Sequence, residues 1–332
     1  MTIESVSLPC TSDELAVAPA LAQHVRLVAD QIVSGGVVPF LGAGVSLSER
    51  TGPFQLGQSL PNGEELARFL AAKVGYEQPC HIDLLRSAQY MSLKLGPFGL
   101  YKNLRSVFNI NVDYTATHAF LARLPAELRR KSAEPATQLI VTTNYDDLLE
   151  RAFVDAEEPF DVIRYVAEGP DQGKFVHRDS QGNETLIREP NKYSELDSDR
   201  RTVIMKIHGA ISRNNATDDS YVITEDHYID YLSFADISNL IPASVMAKLR
   251  YSYLLFLGYS LSDWNLRVIL RRIWREQQLR LRSWAVQRNP SDFERQLWGQ
   301  RDVEIFDTPL ETYIRALTCA IGQLPSAPGG QS

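Results

Sequence analysis

Cysteine is scarce in this chain. There are three in 332 residues, Cys10, Cys80 and Cys319, set far apart and with no Cys-x-x-Cys pair. That pattern excludes a zinc ribbon, and an odd number of isolated cysteines suits a reducing compartment. Long apolar runs are missing too. No stretch approaches the roughly 20 residues of a membrane span, and the N-terminus has no charged segment leading into the apolar core of a secretion signal. A soluble, cytoplasmic chain without membrane contact is expected. Positive charge is also in deficit, with 34 Lys and Arg against 41 Asp and Glu and a net charge of −7. This argues against a surface that coats nucleic acid, so no direct sequence-specific nucleic-acid binding is expected, although a local basic patch is allowed. The remaining composition is that of a globular protein, 44% hydrophobic and 23% charged, and the length suits one large domain with a sizeable insertion.

The chain is organised around Val37-Val38-Pro39-Phe40-Leu41-Gly42-Ala43-Gly44-Val45-Ser46. An apolar run stops in Gly-Ala-Gly, with Ser46 two residues on, which reads as a buried strand turning into a phosphate-binding loop. Glycine lets backbone N–H groups approach a diphosphate, and a following helix N-terminus favours its charge. The third glycine of the usual dinucleotide fingerprint is absent at its usual offset, so this loop alone reads equally as a tight strand–helix turn.

Helical spacing over Leu21–Val33, ended by Gly35-Gly36, places a helix before that strand. Residues 47–63 are punctuated by Gly and Pro and form a loop, either a mobile cover over a ligand or a plain surface connection. Asn62 caps a helix reaching Val74. Residues 82–108 read as two helices broken at Gly96-Pro97, and Thr115 or Thr117 opens another in which His118 has a structural role. This block predicts a mostly helical subdomain on one edge of the sheet. A hairpin turning at Gln181-Gly182-Asn183 is expected within the polar stretch 167–200, then a short strand and helices over 221–249. Trp284–Val286 and Val303–Phe306 read as the last strands and Leu310–Ile321 as the closing helix.

Three more apolar strands end in polar residues. Leu139–Thr143 stops at Asn144-Tyr145-Asp146-Asp147, Thr202–Ile207 stops at His208-Gly209, and Tyr253–Leu257 stops at Gly258-Tyr259-Ser260. Open α/β sheets place ligand chemistry at the carboxyl ends of their strands. Helix capping accounts for one Asn or Asp there but not for the whole set. Imidazole suits proton transfer near neutral pH, so His208 is a catalytic candidate in this company. Gly258 and Ser260 can offer a backbone N–H and a hydroxyl to a ribose or phosphate. A following helix carries Arg267, Arg271, Arg272 and Arg275, which reads as a solvated face or as a contact for an acidic partner or nucleic acid.

Taken in order, these four strand ends resemble the sirtuin family, and more closely the bacterial sirtuin-like proteins of anti-phage defence, over about residues 30–315. The phrases Leu60–Ala67 and Leu257–Asp263 are also similar to that branch. The resemblance implies an α/β fold with a Rossmann-like parallel sheet, helices on both faces and a mostly helical subdomain. It implies a flexible lead-in over 1–20, an NAD-binding domain over 21–322 with a helical insertion at about 64–130 and a polar one at about 167–200, and a disordered tail over 323–332. It further implies that Gly42, Ala43, Gly44 and Ser46 hold the diphosphate, that Thr143, Asn144 and Asp146 border the nicotinamide and its ribose, that His208 is catalytic with Asn144 and Asp146, and that Gly258 and Ser260 touch the adenosine side. Thr143 stands where the family usually has Gln. Four zinc-binding cysteines follow the histidine in the protein-deacylating members. Here only Cys319 does, so no zinc module and no metal are expected.

The implied activity is hydrolysis of NAD+, as substrate, to nicotinamide and ADP-ribose. An NADase of a defence system must be latent until needed. Some relatives carry a C-terminal sensor domain, and the stretch after residue 320 is too short for one. Control by homo-oligomerisation or by a separate partner, such as a HerA-type DNA-translocating ATPase or an Argonaute-like protein, is the expectation. The alternatives are an NAD-dependent deacylase or ADP-ribosyltransferase, and a non-catalytic nucleotide-binding scaffold.

Overall fold

A computed structural model describes residues 19–77, 82–131, 136–196, 199–233, 240–259 and 283–325. Ser260, the expected arginine-bearing helix and most of the expected lead-in and tail lie outside these residues.

The apolar runs become the central strands of a nine-stranded sheet in the order β5-β4-β3-β6-β2-β1-β7-β8-β9. These are β1 (Val37–Leu41), β2 (Leu139–Thr142), β3 (Phe160–Tyr165), β4 (Phe175–Arg178), β5 (Glu184–Ile187), β6 (Thr202–Lys206), β7 (Tyr253–Leu257), β8 (Ser283–Gln287) and β9 (Val303–Asp307). All neighbours pair parallel except β3 with β4 and β4 with β5. The exceptions are the expected hairpin, whose turn carries Gly182 at φ 90°. Every residue of β1, β2 and β6 is buried, as continuous apolar strands covered on both faces must be.

Proline inside a central strand removes a ladder hydrogen bond, yet Pro39 sits in β1. Gly42 N donates to Leu257 O at 3.0 Å. By two-residue alternation the odd-numbered positions therefore face β2, and β1–β2 register begins only at Phe40↔Val141. Pro39 thus occupies a position that the β2 ladder does not reach.

Helices cover both faces. On one side α1 (Pro19–Val33), α5 (Ala116–Arg130), α6 (Leu148–Asp155) and α10 (Leu310–Gln323) share a core with the sheet. On the other, α7 (Glu225–Ser233), α8 (Ala243–Tyr251) and α9 (Asp292–Gly299) supply Tyr228, Met246 and Trp298 to a second core. After β1 comes a single turn, α2 (Gly44–Leu47). The helical subdomain is α3 (Gly63–Val74) packed on α4 (Leu84–Phe108), with a core that includes Leu66, Leu70, Met91 and Leu104. Asn62 caps α3 in a reciprocal box with Glu65, and α4 breaks as expected at Gly96, φ 73° and ψ 167°. Thr115 opens α5, and the buried His118 closes a capping box with it, the structural role expected.

Three expectations are corrected. Among the described residues of 221–249 there is no strand: Tyr221–Ile223 joins no sheet ladder, and Val222 N donates to His208 O in the segment after β6. Helix α9, capped by a Ser291–Glu294 box, was not expected. Cys319 is disulfide-bonded, where three isolated thiols were anticipated.

Candidate functional site

The strand ends meet at the carboxyl edge of the sheet. β1 turns to β2 on one side and β7 on the other, the kind of switch point at which open α/β sheets form a crevice. A cavity of about 760 Å³ opens there, within the range of small-molecule sites. Its lining includes Gly42, Ala43, Gly44, Ser46, Thr143, Asn144, Asp146, His208 and Gly258. Every site residue expected from the sequence and described in the structure therefore lies on one cavity.

Two of the glycines are required by each other. Gly258 has φ 62°, and a Cβ there would lie 2.2 Å from Val45 N; a Cβ on Gly44 would lie 2.6 Å from Gly258 O. Gly44 N donates to Gly258 O at 2.8 Å. The loops after β1 and β7 are thus clasped backbone to backbone. The amides of Gly42, Val45 and Ser46 also donate to carbonyls, of Leu257, Gly42 and Ala43. Close approach of two loops is reason enough for these glycines, and it leaves Ala43 as the loop amide not used in this way.

The polar groups beside this clasp form one chain. Asn144 Nδ2 donates to Gly42 O at 3.1 Å and to Ser46 Oγ at 3.3 Å, and Ser46 Oγ donates to Asp146 Oδ2 at 3.1 Å. Asp146 Oδ1 accepts from Leu148 N at 3.1 Å, so this carboxylate also starts α6. Burial raises its pKa, against the opposing pull of Lys206 and its hydrogen bonds. Next to it, Asp147 is held below the usual range: burial pushes it up, but Arg213 at 2.7 Å outweighs this.

His208 faces the cavity two residues past the end of β6. Its backbone is clamped, because Val222 N donates to His208 O at 2.9 Å, and Gly209 at φ 83° brings the chain against Ser220 O, where no Cβ would fit. The ring lies edge-on to Tyr228, with centroids 5.5 Å apart, and to Tyr231. Nε2 has no hydrogen-bond partner among the described residues. Burial lowers its pKa to about 3, so the imidazole is neutral at physiological pH.

The rest of the lining was not read from the sequence. Phe108, Tyr145 and Tyr228 make an aromatic wall, while Arg288 after β8 and Glu311 at the start of α10 border the far end. Arg288 is the only Lys or Arg among the described lining residues, against Glu64, Asp83, Asp146 and Glu311. Only position was available to find them, since each follows a strand end or sits on a helix turned toward one. The loop expected over the site is pinned. Arg50 binds Glu65 through two 2.8 Å contacts and Leu60 O at 2.7 Å, and Leu60–Glu64 wall the cavity.

Three buried histidines give a pH prediction. Burial lowers His24 and His118 to about 4 and His208 to about 3. Above the unfolded value of about 6.5 neither state is protonated, and these groups leave stability unchanged. Below it only the unfolded chain binds the proton, so each histidine removes about 1.4 kcal/mol per pH unit until its folded pKa is reached. Because the unfolded rings are half protonated at pH 6.5, urea unfolding should therefore show stability falling by about 3 kcal/mol from pH 6.5 to 5.5. A flat profile over that range would refute the assignment of neutral buried rings.

A mostly parallel sheet covered on both faces, with a polar crevice at its switch point, defines a Rossmann-like α/β protein. The chain belongs to the SIR2-like domain family, whose sequence profile matches residues 138–306, about half of its length. The sirtuin-like resemblance and the fold it implied are thereby borne out. Among curated proteins it is 28% identical over 214 residues to the NAD(+) hydrolase ThsA of Acinetobacter baumannii (strain 532279), covering 64% of this chain and 36% of that protein. It is 25% identical over 234 residues to the NAD(+) hydrolase ThsA of Cytobacillus dafuensis, covering 70% and 37%. The chain thus spans little more than a third of the length of these relatives. Among the described residues, no helix is long and apolar enough to cross a membrane and no group of three or more His, Cys, Asp or Glu is gathered for a metal.

Proposed function

We propose that this chain hydrolyses NAD+ to nicotinamide and ADP-ribose as the NAD-depleting effector of an anti-phage defence system. The observation that carries the reading is the convergence of Asn144, Asp146 and His208 on one cavity with the glycine clasp. The relatives named NAD(+) hydrolase support it.

In this reading the bond between C1′ of the ribose and the nicotinamide nitrogen breaks, and a water oxygen bonds to C1′. The water proton is passed to an acceptor, and nicotinamide leaves neutral. Asp146 orients the carboxamide and offsets the positive charge that develops on the ribose. Asn144, already anchored through Gly42 and Ser46, positions the water or the ribose hydroxyls. His208, neutral at pH 7, accepts the proton through water or a ribose hydroxyl. Because burial disfavours its charged form, it must hand the proton on rather than keep it. The diphosphate lies along the Gly42–Ser46 loop. Gly258 faces the adenosine. We take 21–322 as the NAD-binding unit and place control in self-association or in a separate protein such as a DNA-translocating ATPase, within the cytoplasm.

The test is NAD+ consumption by the purified chain, alone and with the product of the neighbouring gene, resolved by product chromatography. Equal release of nicotinamide and ADP-ribose is the expected result. NAD+ binding without turnover in both conditions would overturn the reading in favour of a scaffold, and an acylated or ADP-ribosylated acceptor in place of free ADP-ribose would replace hydrolysis by transfer.

A further inference from the structure

Lys206 is the last residue of β6 and is 1% exposed. A lysine so buried costs several kcal/mol in lost hydration unless its charge is met, and the apolar strand around it would accept methionine. Among the described residues Lys131 is the other buried lysine, and it caps the end of α10 through Gly322 O at 3.2 Å and Leu324 O at 2.6 Å. Lys206 serves no helix end. Its Nζ donates to Asp146 O and, at 2.8 Å, to Glu150 Oε1 on α6. It therefore bridges three elements: the strand that leads to His208, the turn that carries Asn144 and Asp146, and the helix that follows.

We infer that Lys206 is a positioning residue for Asp146, tying the Asn144–Asp147 turn to β6 and α6 and placing its positive charge beside that turn. The inference rests on the proposed role of Asp146 at the nicotinamide. Two cations, Lys206 and Arg213, act on that carboxylate, and Lys206 is the leading one. Asp147 is a like charge, and Arg213 makes its contacts with Asp147 and with Ile110 O. Glu150 is a second anion, and its Oε2 finds no partner among the described residues. His118 on α5 is buried beside Lys206 and Glu150 and is neutral at pH 7, as is His208 on the cavity wall. Ser46 and Leu148 N add hydrogen bonds but no charge. Burial already favours the protonated acid at position 146, and Lys206 is the leading influence against it.

The test removes the ion pair as a unit, Lys206→Met with Glu150→Leu, since exchanging a buried pair for apolar residues of similar volume is often neutral or stabilising. Asp146 is followed by 13C NMR of carboxyl-labelled aspartate, with its resonance assigned from Asp146→Asn. kcat and KM for NAD+ are measured against pH in parallel. Loss of Lys206 raises the Asp146 midpoint and loss of Glu150 lowers it, so with Lys206 the leading influence the double variant should show a net rise smaller than the about one to three pH units expected for an opposite charge lost alone. The acid limb of kcat should move with it, while KM changes little. As a second variant, Glu150→Gln leaves Lys206 to Asp146 alone and should move the midpoint the other way. A midpoint that stays put in a folded variant of either kind overturns the inference. A wild-type chain without NADase activity overturns the hydrolase reading instead, and the NMR titration still decides the role of Lys206.

Discussion

Alanine in place of His208 should lower kcat for NAD+ hydrolysis by a factor of about 10²–10⁴, the usual contribution of a general base, with little change in KM and a folded chain. The ring makes no hydrogen bond through Nε2 among the described residues and is held by the edges of Tyr228 and Tyr231, so its loss strands no buried partner. The backbone clamp on Val222 and the Gly209 turn do not involve the side chain. Full turnover in a folded His208→Ala protein would remove His208 from the chemistry. The same variant should also relieve about a third of the loss of stability between pH 6.5 and 5.5, because one of the three rings that resist protonation is gone. That second readout does not depend on the reaction.

The largest effect on folding is expected at Gly258. Gly258→Ala should cost roughly 3 kcal/mol or more, since a left-handed non-glycine residue is strained by itself and the new methyl would stand 2.2 Å from Val45 N. Relief requires opening the clasp between the loops after β1 and β7. At about 2–4 °C per kcal/mol for a large domain, Tm should fall by about 6–12 °C. Gly57→Ala is the control. It has φ 80° but nothing within 4 Å of its Cβ, so it carries the conformational strain alone, about 1–2 kcal/mol. Equal losses at the two positions would show that the clasp contributes nothing beyond strain.

Much of this architecture was legible because it is written locally. Val37–Leu41 is a short apolar run closed by glycine, Asn62 stands three residues before Glu65, and Gly96-Pro97 interrupts helical spacing. Each of these acts on its own neighbours. The Ser291-x-x-Glu294 signature was equally local, and it would have found α9 had it been weighed. Other features depend on contacts between distant segments. That Gly44 is needed for Gly258, that Lys206 lies under Asp146, and that Tyr228 flanks His208 are facts about separations of 214, 60 and 20 residues that no periodicity carries. The short strand expected within 221–249 does not form among the described residues: Val222 N donates to His208 O and Val222 O accepts from the Tyr145 hydroxyl, so no sheet ladder is entered. Of the candidate site, the strand-end residues were visible as motifs. Arg288 and Glu311 were invisible, being single charged residues among many.

The position of β1 has a consequence for how a ribosome makes this chain. Its register partners are Val141 and Thr142 on one edge and Tyr253–Leu257 on the other. Counted from Val37, the second edge is 216 residues away. At a synthesis rate of about 5–20 residues per second, the apolar strand at the heart of the sheet spends roughly 10–40 s without that neighbour. For that interval the nascent chain exposes an apolar strand with one edge unpaired, and the cavity at its carboxyl end cannot be complete until Glu311 of α10 has been made.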